Sequence, residues 1–371
     1  MKIVIATGIF VPEIGGPATY APKIAKEFLD LGHQVKVITY SDKAEFEQDK
    51  QLPYQIVRVK RGNKLLNYWH YYQALKKHAE NADIIYAFDH FSAGMPSAKF
   101  CQKYKKPLYI RVGGDFIWER HLEASNNLVT LHEFYKRGFH KKLEGKRFRL
   151  IEWVFHQATG IIFTTEFQKN IFQEYYNLSP VKLLVIHNPV DLPTEKVDRK
   201  KANKEIIFAG RFINKNNIKI LITAFSELED KSFKLILIGE GPLKLKLESL
   251  IKEKKLDNVL IENKLSRQDL KNRFAKSYLV VFPSLTDISP NTMLECLSIN
   301  VPFISSTEIG FDWLKDKIIL FNPLRPREIT AQINNLFNVE KYEQYSKIIV
   351  SLDYQYTYSQ AAADTIKIFK D

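Results

Sequence analysis

Two carboxylates eight positions apart, Asp287 and Glu295, bracket the opening of a predicted helix in the stretch Asp287-Ile288-Ser289-Pro290-Asn291-Thr292-Met293-Leu294-Glu295. The apolar run Tyr278 to Phe282 reads as a strand that ends at Pro283-Ser284. Ser289 is then spaced to be the helix N-cap and Pro290 the first helical residue, where a missing N–H costs nothing. The amides of Asn291 and Thr292 are left without helical partners, and with the positive end of the helix dipole they suit a diphosphate. Taken alone, the stretch is better explained as an ordinary capped helix of an α/β protein.

Its surroundings change that balance. Phe208-Ala209-Gly210-Arg211-Phe212 and Leu237-Ile238-Gly239-Glu240-Gly241-Pro242 close two further apolar strands in the same half of the chain. Arg211 cannot lose its charge, which suits it to neutralise the β-phosphate of a leaving nucleotide, although in isolation a surface ion pair explains it better. Near the start, Gly15-Gly16 separates the first strand from a helix expected to begin near Pro17 and stop before Gly32. Two residues without Cβ let backbone amides come close to a phosphate or a sugar; a plain turn is the other reading.

In this order the motifs resemble the family 4 glycosyltransferases of the two-domain GT-B fold, over nearly the whole chain. That pattern is a strand ending in Gly-Arg, then Gly-x-Gly-Pro, then two acids eight apart, the first of them usually Glu where this chain has Asp287. The resemblance implies a retaining transfer from a nucleoside-diphosphate sugar, with no metal and no other cofactor. Glu295 would accept bonds from the two ribose hydroxyls. Asp287 would lie near the transferred sugar, drawn back by one methylene relative to Glu. Gly239, Gly241 and Pro242 would shape the nucleotide pocket, with Lys264 and Leu265 near the base. The family follows its arginine with a lysine five positions on and then a glycine, whereas Asn216 and Asn217 stand there and Lys215 comes one residue early. Lys215 is the expected replacement at the phosphate. Asn300 also stands where a glycine is common, before Val301-Pro302.

The acceptor side would come from the other half. Arg111-Val112-Gly113-Gly114-Asp115 ends a strand with two glycines and an acid, and the resemblance makes Asp115 the acceptor-side base, with Glu119 and His121 behind it. The alternative for Asp115 is the N-cap of the segment that follows.

With 45% hydrophobic and 26% charged residues over 371 positions, the composition is that of a globular chain of two ordinary domains. No apolar run reaches the roughly 18 residues of a spanning helix, and no signal sequence opens the chain, so the expected location is cytoplasmic. Cys101 and Cys296 lie far apart in helical patterns and read as core residues, and no His or Cys cluster has metal-ligand spacing. There are 55 Lys plus Arg against 42 Asp plus Glu, a formal charge of +13. Lys136 to Arg149 holds seven Lys or Arg and one Glu, interleaved with Phe139, Leu143 and Phe148 and flanked by Tyr135 and Trp153. Such a run suits an anionic membrane surface at the inner face; a solvated helix face is the bland alternative. Basic patches also bind nucleic acid, but the sequence carries no nucleic-acid module.

These groups need a scaffold. Short β-rich runs alternate with helical stretches, the pattern of parallel sheets covered on both faces. One sheet is expected from Lys2 to Thr7, Val35 to Thr39, Ile56 to Val59, Ile84 to Phe88, Leu108 to Val112, Ile161 to Thr164 and Leu183 to Ile186. A second is expected from Glu205 to Ala209, Lys234 to Ile238, Val259 to Ile261, Leu279 to Phe282, Phe303 to Ser305 and Ile318 to Leu320. The fold class is therefore α/β: two Rossmann-like domains facing across a cleft, an acceptor-side domain over 1–190 and a nucleotide-sugar domain over 205–350. A linker is expected at 191–204, and by resemblance a helix in 351–371 crosses back to the first domain. Nearly all the chemically distinctive residues follow strands, where open parallel sheets bind ligands.

The expected function is a hexose-type glycosyltransferase acting on a hydroxyl acceptor, a lipid-linked or cell-envelope glycan intermediate. A sugar-nucleotide epimerase of the same fold would use the same donor without an acceptor. A non-catalytic polyanion-binding protein explains the charge but not the ordered motifs.

Overall fold

The computed structural model describes residues 1–13, 15–125, 127–191 and 202–370, apart from the side chains of residues 64 and 65. It forms two compact units, the first from Met1–Ile117, Arg137–Pro189 and Tyr356–Asp371, the second from Trp118–Lys136 and Val190–Gln355.

In the first unit β1 (Lys2–Thr7), β2 (Gln34–Ser41), β3 (Gln55–Lys60), β4 (Ile84–Ala87), β5 (Leu108–Val112), β6 (Gly160–Phe163) and β7 (Leu183–Val185) pair in the order β3-β2-β1-β4-β5-β6-β7. In the second, β8 (Asn203–Ala209), β9 (Lys234–Ile238), β10 (Val259–Glu262), β11 (Ser277–Phe282), β12 (Phe303–Ser306) and β13 (Leu320–Phe321) pair as β10-β9-β8-β11-β12-β13. Every pairing is parallel. The strands read as continuous Ile, Val and Leu runs because helices cover both faces; Ile3 to Thr7 and Leu235 to Ile238 are buried throughout. Both sheets reverse their build direction beside their first strand, between β1 and β4 and between β8 and β11. This is the Rossmann arrangement, and those two points are where the carboxyl ends of strands leave a crevice.

The helix Tyr358–Lys370 packs into the first unit. Phe369 meets the rings of Tyr109 and Tyr86 at 4.6 and 5.2 Å, and the Tyr109 hydroxyl donates to the Ile368 carbonyl at 3.2 Å. Each such ring pair is worth about 0.5–1.5 kcal/mol beyond its buried area. The return expected from the resemblance is thus present, beginning at Tyr356. Cys101 and Cys296 are buried and are not joined in a disulfide.

A linear division at residue 190 misses one exchange: Trp118–Lys136 groups with the second unit. The Leu131 amide donates to Thr286 Oγ1 at 2.9 Å, and Asn214 binds residues 122 and 123. The expected linker falls mostly on 192–201, outside the described residues; its last two positions, Asn203 and Lys204, open β8.

Candidate active site

The second unit carries its polar groups at the carboxyl ends of β8, β9 and β11. Arg211 is exposed immediately after β8, and the backbone beneath it is fixed by the neighbouring strand end. Gly210 N–H donates to the Ile238 carbonyl at 3.0 Å, Phe212 N–H to the Glu240 carbonyl at 2.8 Å, and Leu243 N–H to the Phe212 carbonyl at 3.0 Å. That approach needs glycine on the β9 side. A Cβ on Gly239 would sit 2.0 Å from the Gly210 carbonyl oxygen, and one on Gly241 within 2.9 Å of three backbone atoms of Phe212. The Gly-x-Gly sequence therefore seats the arginine-bearing turn, while Pro242 beside it is exposed.

The turn after Arg211 explains the departures at 215–217. Asn217 lies in the left-handed region at φ 52°, and Asn300 does so at φ 57°. Both stand where glycine was expected, and Asn tolerates this conformation better than other side chains. The Asn216 amide turns back to the Arg211 carbonyl at 2.7 Å. Lys215 is the residue that points into the polar cluster: its Nζ lies 2.9 Å from Glu119 Oε1, and its carbonyl accepts from the Leu285 amide at 2.9 Å. Burial alone would lower the Lys215 pKa and nearby Arg211 adds to that, but Glu119 and Asp287 outweigh both and hold the ammonium above its usual range.

Asp287 is held on both sides by a loop from the β12 end, donating its amide to the Glu308 carbonyl at 2.8 Å and accepting the Gly310 amide at 2.9 Å. Burial raises its carboxyl above the ordinary range; Lys215 and the Ser289 amide pull it down, and Glu119 pushes it up again. The helix that follows is Asn291–Ser298, with Pro290 at the N-cap. Ser289 therefore stands one place before the cap instead of at it, and Pro290 is the cap and not the first helical residue, because Asp287 rather than Ser289 organises the turn. The Asn291 amide, expected to be available, donates to the Ser289 carbonyl at 2.8 Å. The Thr292 amide has no hydrogen-bond partner among the described residues.

Glu295 is 6% exposed, and its Oε1 accepts from Arg267 Nε at 2.6 Å; Arg267 also reaches Asp191 at 3.3 Å. Arg267 opens the helix Arg267–Ala275, directly after the loop holding Lys264, which is exposed, and Leu265, which packs on the core.

In the first unit, Gly15 caps the helix Gly16–Asp30 without a side-chain bond, and a side chain at Gly16 would meet nothing within 4 Å. Asp115 is 1% exposed at the end of the β5 turn, just before the helix Phe116–Ala124. Within β5, buried Arg111 stacks on Tyr20 at 4.3 Å and donates to Asn188 Oδ1 at 2.7 Å.

Comparison with known sequences accounts for both units. The profile described as Glycosyltransferase Family 4 matches residues 14–193, and that described as Glycosyl transferases group 1 matches residues 193–349. The chain belongs to glycosyltransferase family 4. Two uncharacterised glycosyltransferases of Methanocaldococcus jannaschii are relatives, one 29% identical over 47% of this chain and 45% of its own length, the other 22% identical over 92% and 90%. The alpha-monoglucosyldiacylglycerol synthase of Streptococcus pneumoniae is 20% identical over 82% of this chain and 71% of its own. Thus the chain spans less than half of the first of these relatives. Among solved structures, Anabaena HepE in complex with UDP and glucose gives a TM-score of 0.73 at 15% identity, covering 100% of this chain and 99% of that one. The lipopolysaccharide outer core galactosyltransferase WaaB gives 0.68 at 18%, covering 99% of each. These likenesses establish the GT-B fold.

Sequence reasoning about this glycosyltransferase missed two partners. Arg267 carries no motif, and Glu119, expected on the acceptor side, pairs with Lys215 from 96 positions away. The basic run of the family 4 chain also differs from expectation. Tyr135 and Phe148 are 1% and 3% exposed, so they pack inward, while Leu143 at 57% stands out among Lys136, Arg137, Lys141, Lys142, Lys146 and Arg149. No helix among the described residues is long and apolar enough to cross a membrane.

Proposed function

We propose that this glycosyltransferase moves a hexose-type sugar from a nucleoside-diphosphate sugar to a hydroxyl acceptor, with retention at the anomeric carbon and without a metal. The observation that carries the reading is the gathering of Arg211, Lys215, Asp287 and the Thr292 amide at the ends of β8 and β11, the strands flanking the switch point. Arg211, Lys215 and the helix amide meet the diphosphate, where negative charge grows as the bond from the anomeric carbon to the phosphate oxygen breaks. The electron pair goes to that oxygen. The acceptor oxygen forms the new bond, and its proton passes to Asp115 or to the departing phosphate. Glu295 accepts from the ribose, and Asp287 contacts the sugar.

A glycolipid or envelope-glycan acceptor is supported by the activities for which the pneumococcal synthase and WaaB are named. The exposed lysines and arginines of 136–149, with Leu143, suit an anionic membrane surface; adsorption there would be peripheral.

The test is a thermal-stability screen against UDP-, GDP-, ADP- and dTDP-sugars, followed by nucleotide release with and without acceptor. Stabilisation by one donor and acceptor-dependent release support the reading. A new sugar isomer formed without acceptor would make the protein an epimerase. No stabilisation by any donor would remove the donor site. Proton NMR of the product linkage decides retention.

A further inference from the structure

We propose that Glu119 is a positioning residue that holds the Lys215 ammonium where the donor diphosphate must bind, with the helix Phe116–Ala124 as the seat of the lysine-bearing loop. This rests on the reading above that Lys215 meets the diphosphate.

The loop docks along that helix at three points, from its first turn at Glu119 to its last at Leu122 and Glu123. Lys215 Nζ meets Glu119 Oε1 at 2.9 Å, the Asn214 side-chain amide donates to the Leu122 carbonyl at 2.8 Å, and the Asn214 backbone amide donates to Glu123 Oε1 at 3.0 Å. Glu119 and Glu123 are four residues apart and so share a helix face. The Leu122 carbonyl belongs to the last turn, where carbonyls lack helical partners and Asn214 supplies one. On its other side the loop is fixed by Asn216 to the Arg211 carbonyl, Asn217 to the Pro323 carbonyl and Leu285 to the Lys215 carbonyl.

The backbone is therefore set, and what remains free is the four-carbon stem of Lys215. Arg211 close by repels the ammonium; Glu119 and Asp287 both attract it, and Glu119 is the one that hydrogen-bonds it in place. Glu119 engages one of the three ammonium donors and leaves others for a phosphate oxygen. This chain has moved its lysine one residue early, and the acid at position 119 is the group that fixes where that lysine ends.

The experiment is titration calorimetry with UDP, GDP, ADP and dTDP on the parent, Glu119→Gln, Glu119→Asp, Lys215→Ala and the double variant Glu119→Gln/Lys215→Ala. Glu119→Gln is expected to weaken the best diphosphate about tenfold, the size of one charge-assisted hydrogen bond. Glu119→Asp should recover part of that loss, and the double variant should be no weaker than Lys215→Ala alone. Without nucleotide, acylation of Lys215 by acetic anhydride, read by mass spectrometry, should rise in Glu119→Gln. If that variant fails to fold, Glu119→Asp carries the comparison, since it keeps the charge and withdraws the carboxylate by one methylene. Parent-like or tighter binding by the Glu119 variants, with Lys215→Ala weakened, would overturn the proposal and leave the donor reading standing. Parent-like binding by Lys215→Ala would overturn the role of the lysine and this proposal together. Failure of the parent to bind any of the four would overturn the donor reading itself.

Discussion

Asn217 holds its backbone in the left-handed region at φ 52° while its side-chain amide donates to the Pro323 carbonyl at 2.6 Å. One residue thus does two things that glycine cannot combine: it permits the turn that aims Lys215, and it ties that turn to the segment following β13. The hydrogen bond is buried, so its acceptor is costly to leave alone.

Asn217→Ala should lose both contributions and lower unfolding free energy by about 2–4 kcal/mol, whereas Asn217→Gly keeps the conformation and should lose only about 1–3 kcal/mol. Urea unfolding of the two variants separates them. Equal losses would mean that the positive φ imposes no strain on alanine here.

Arg211→Ala should leave the fold intact, because the side chain is exposed at a strand end. Turnover should fall by about 10²–10³, as for removal of one preorganised charge-stabilising donor. Steady-state rates with the donor found by the thermal screen decide it; activity within threefold of the parent, on the same scale, sinks the phosphate role.

Asp115 sits at 1% exposure directly before the helix Phe116–Ala124, a place that fits a base and fits a cap. Asp115→Asn retains most hydrogen bonding, including that of a cap, and removes the base. Transfer should drop by at least about tenfold, within the range of general-base effects, while donor affinity stays near that of the parent. Normal transfer by Asn, together with a lowered melting temperature for Asp115→Ala, would make this residue a cap.

His140 gives a pH dependence unrelated to catalysis. It is 3% exposed against Phe148 and Tyr175, and burial, helped by Lys141, holds its imidazole down at about 4. The folded value is depressed, so the unfolded chain takes up the proton first. Stability from this group is complete above about 6.5 and is lost as pH falls toward about 4, by a few kcal/mol at most. Melting temperatures from pH 7 to 4.5 should fall less in His140→Phe than in the parent. Parallel curves would show that this histidine does not set the acid limb.

Much of the scaffold was legible because buried parallel strands are locally apolar and end in glycine, proline or polar turns. The strands that carry Arg211 and Asp287 lie where the Ile, Val and Leu runs place them. The helix start shifted by one residue because a carboxylate two positions upstream, Asp287, takes the Ser289 amide, and local capping rules see only Ser289. Glu119 with Lys215, and Arg267 with Glu295, were not legible: their separations of 96 and 28 residues leave no periodic trace. The assignment of Trp118–Lys136 to the second unit was hidden for the same reason, since its ties run through Thr286 and Asn214. The aromatic residues of the basic run could have been read as inward-facing had helical phase been weighed above composition.

The helix Tyr358–Lys370 also bears on how the chain matures on the ribosome. Phe28, Tyr86 and Tyr109 contribute rings against which Phe369 packs. During synthesis, the first unit must wait with that aromatic surface uncovered while the whole of Val190–Gln355 is translated. At about 5–20 residues per second, this is an interval of about ten to thirty seconds, long enough for a holdase chaperone to occupy the same surface.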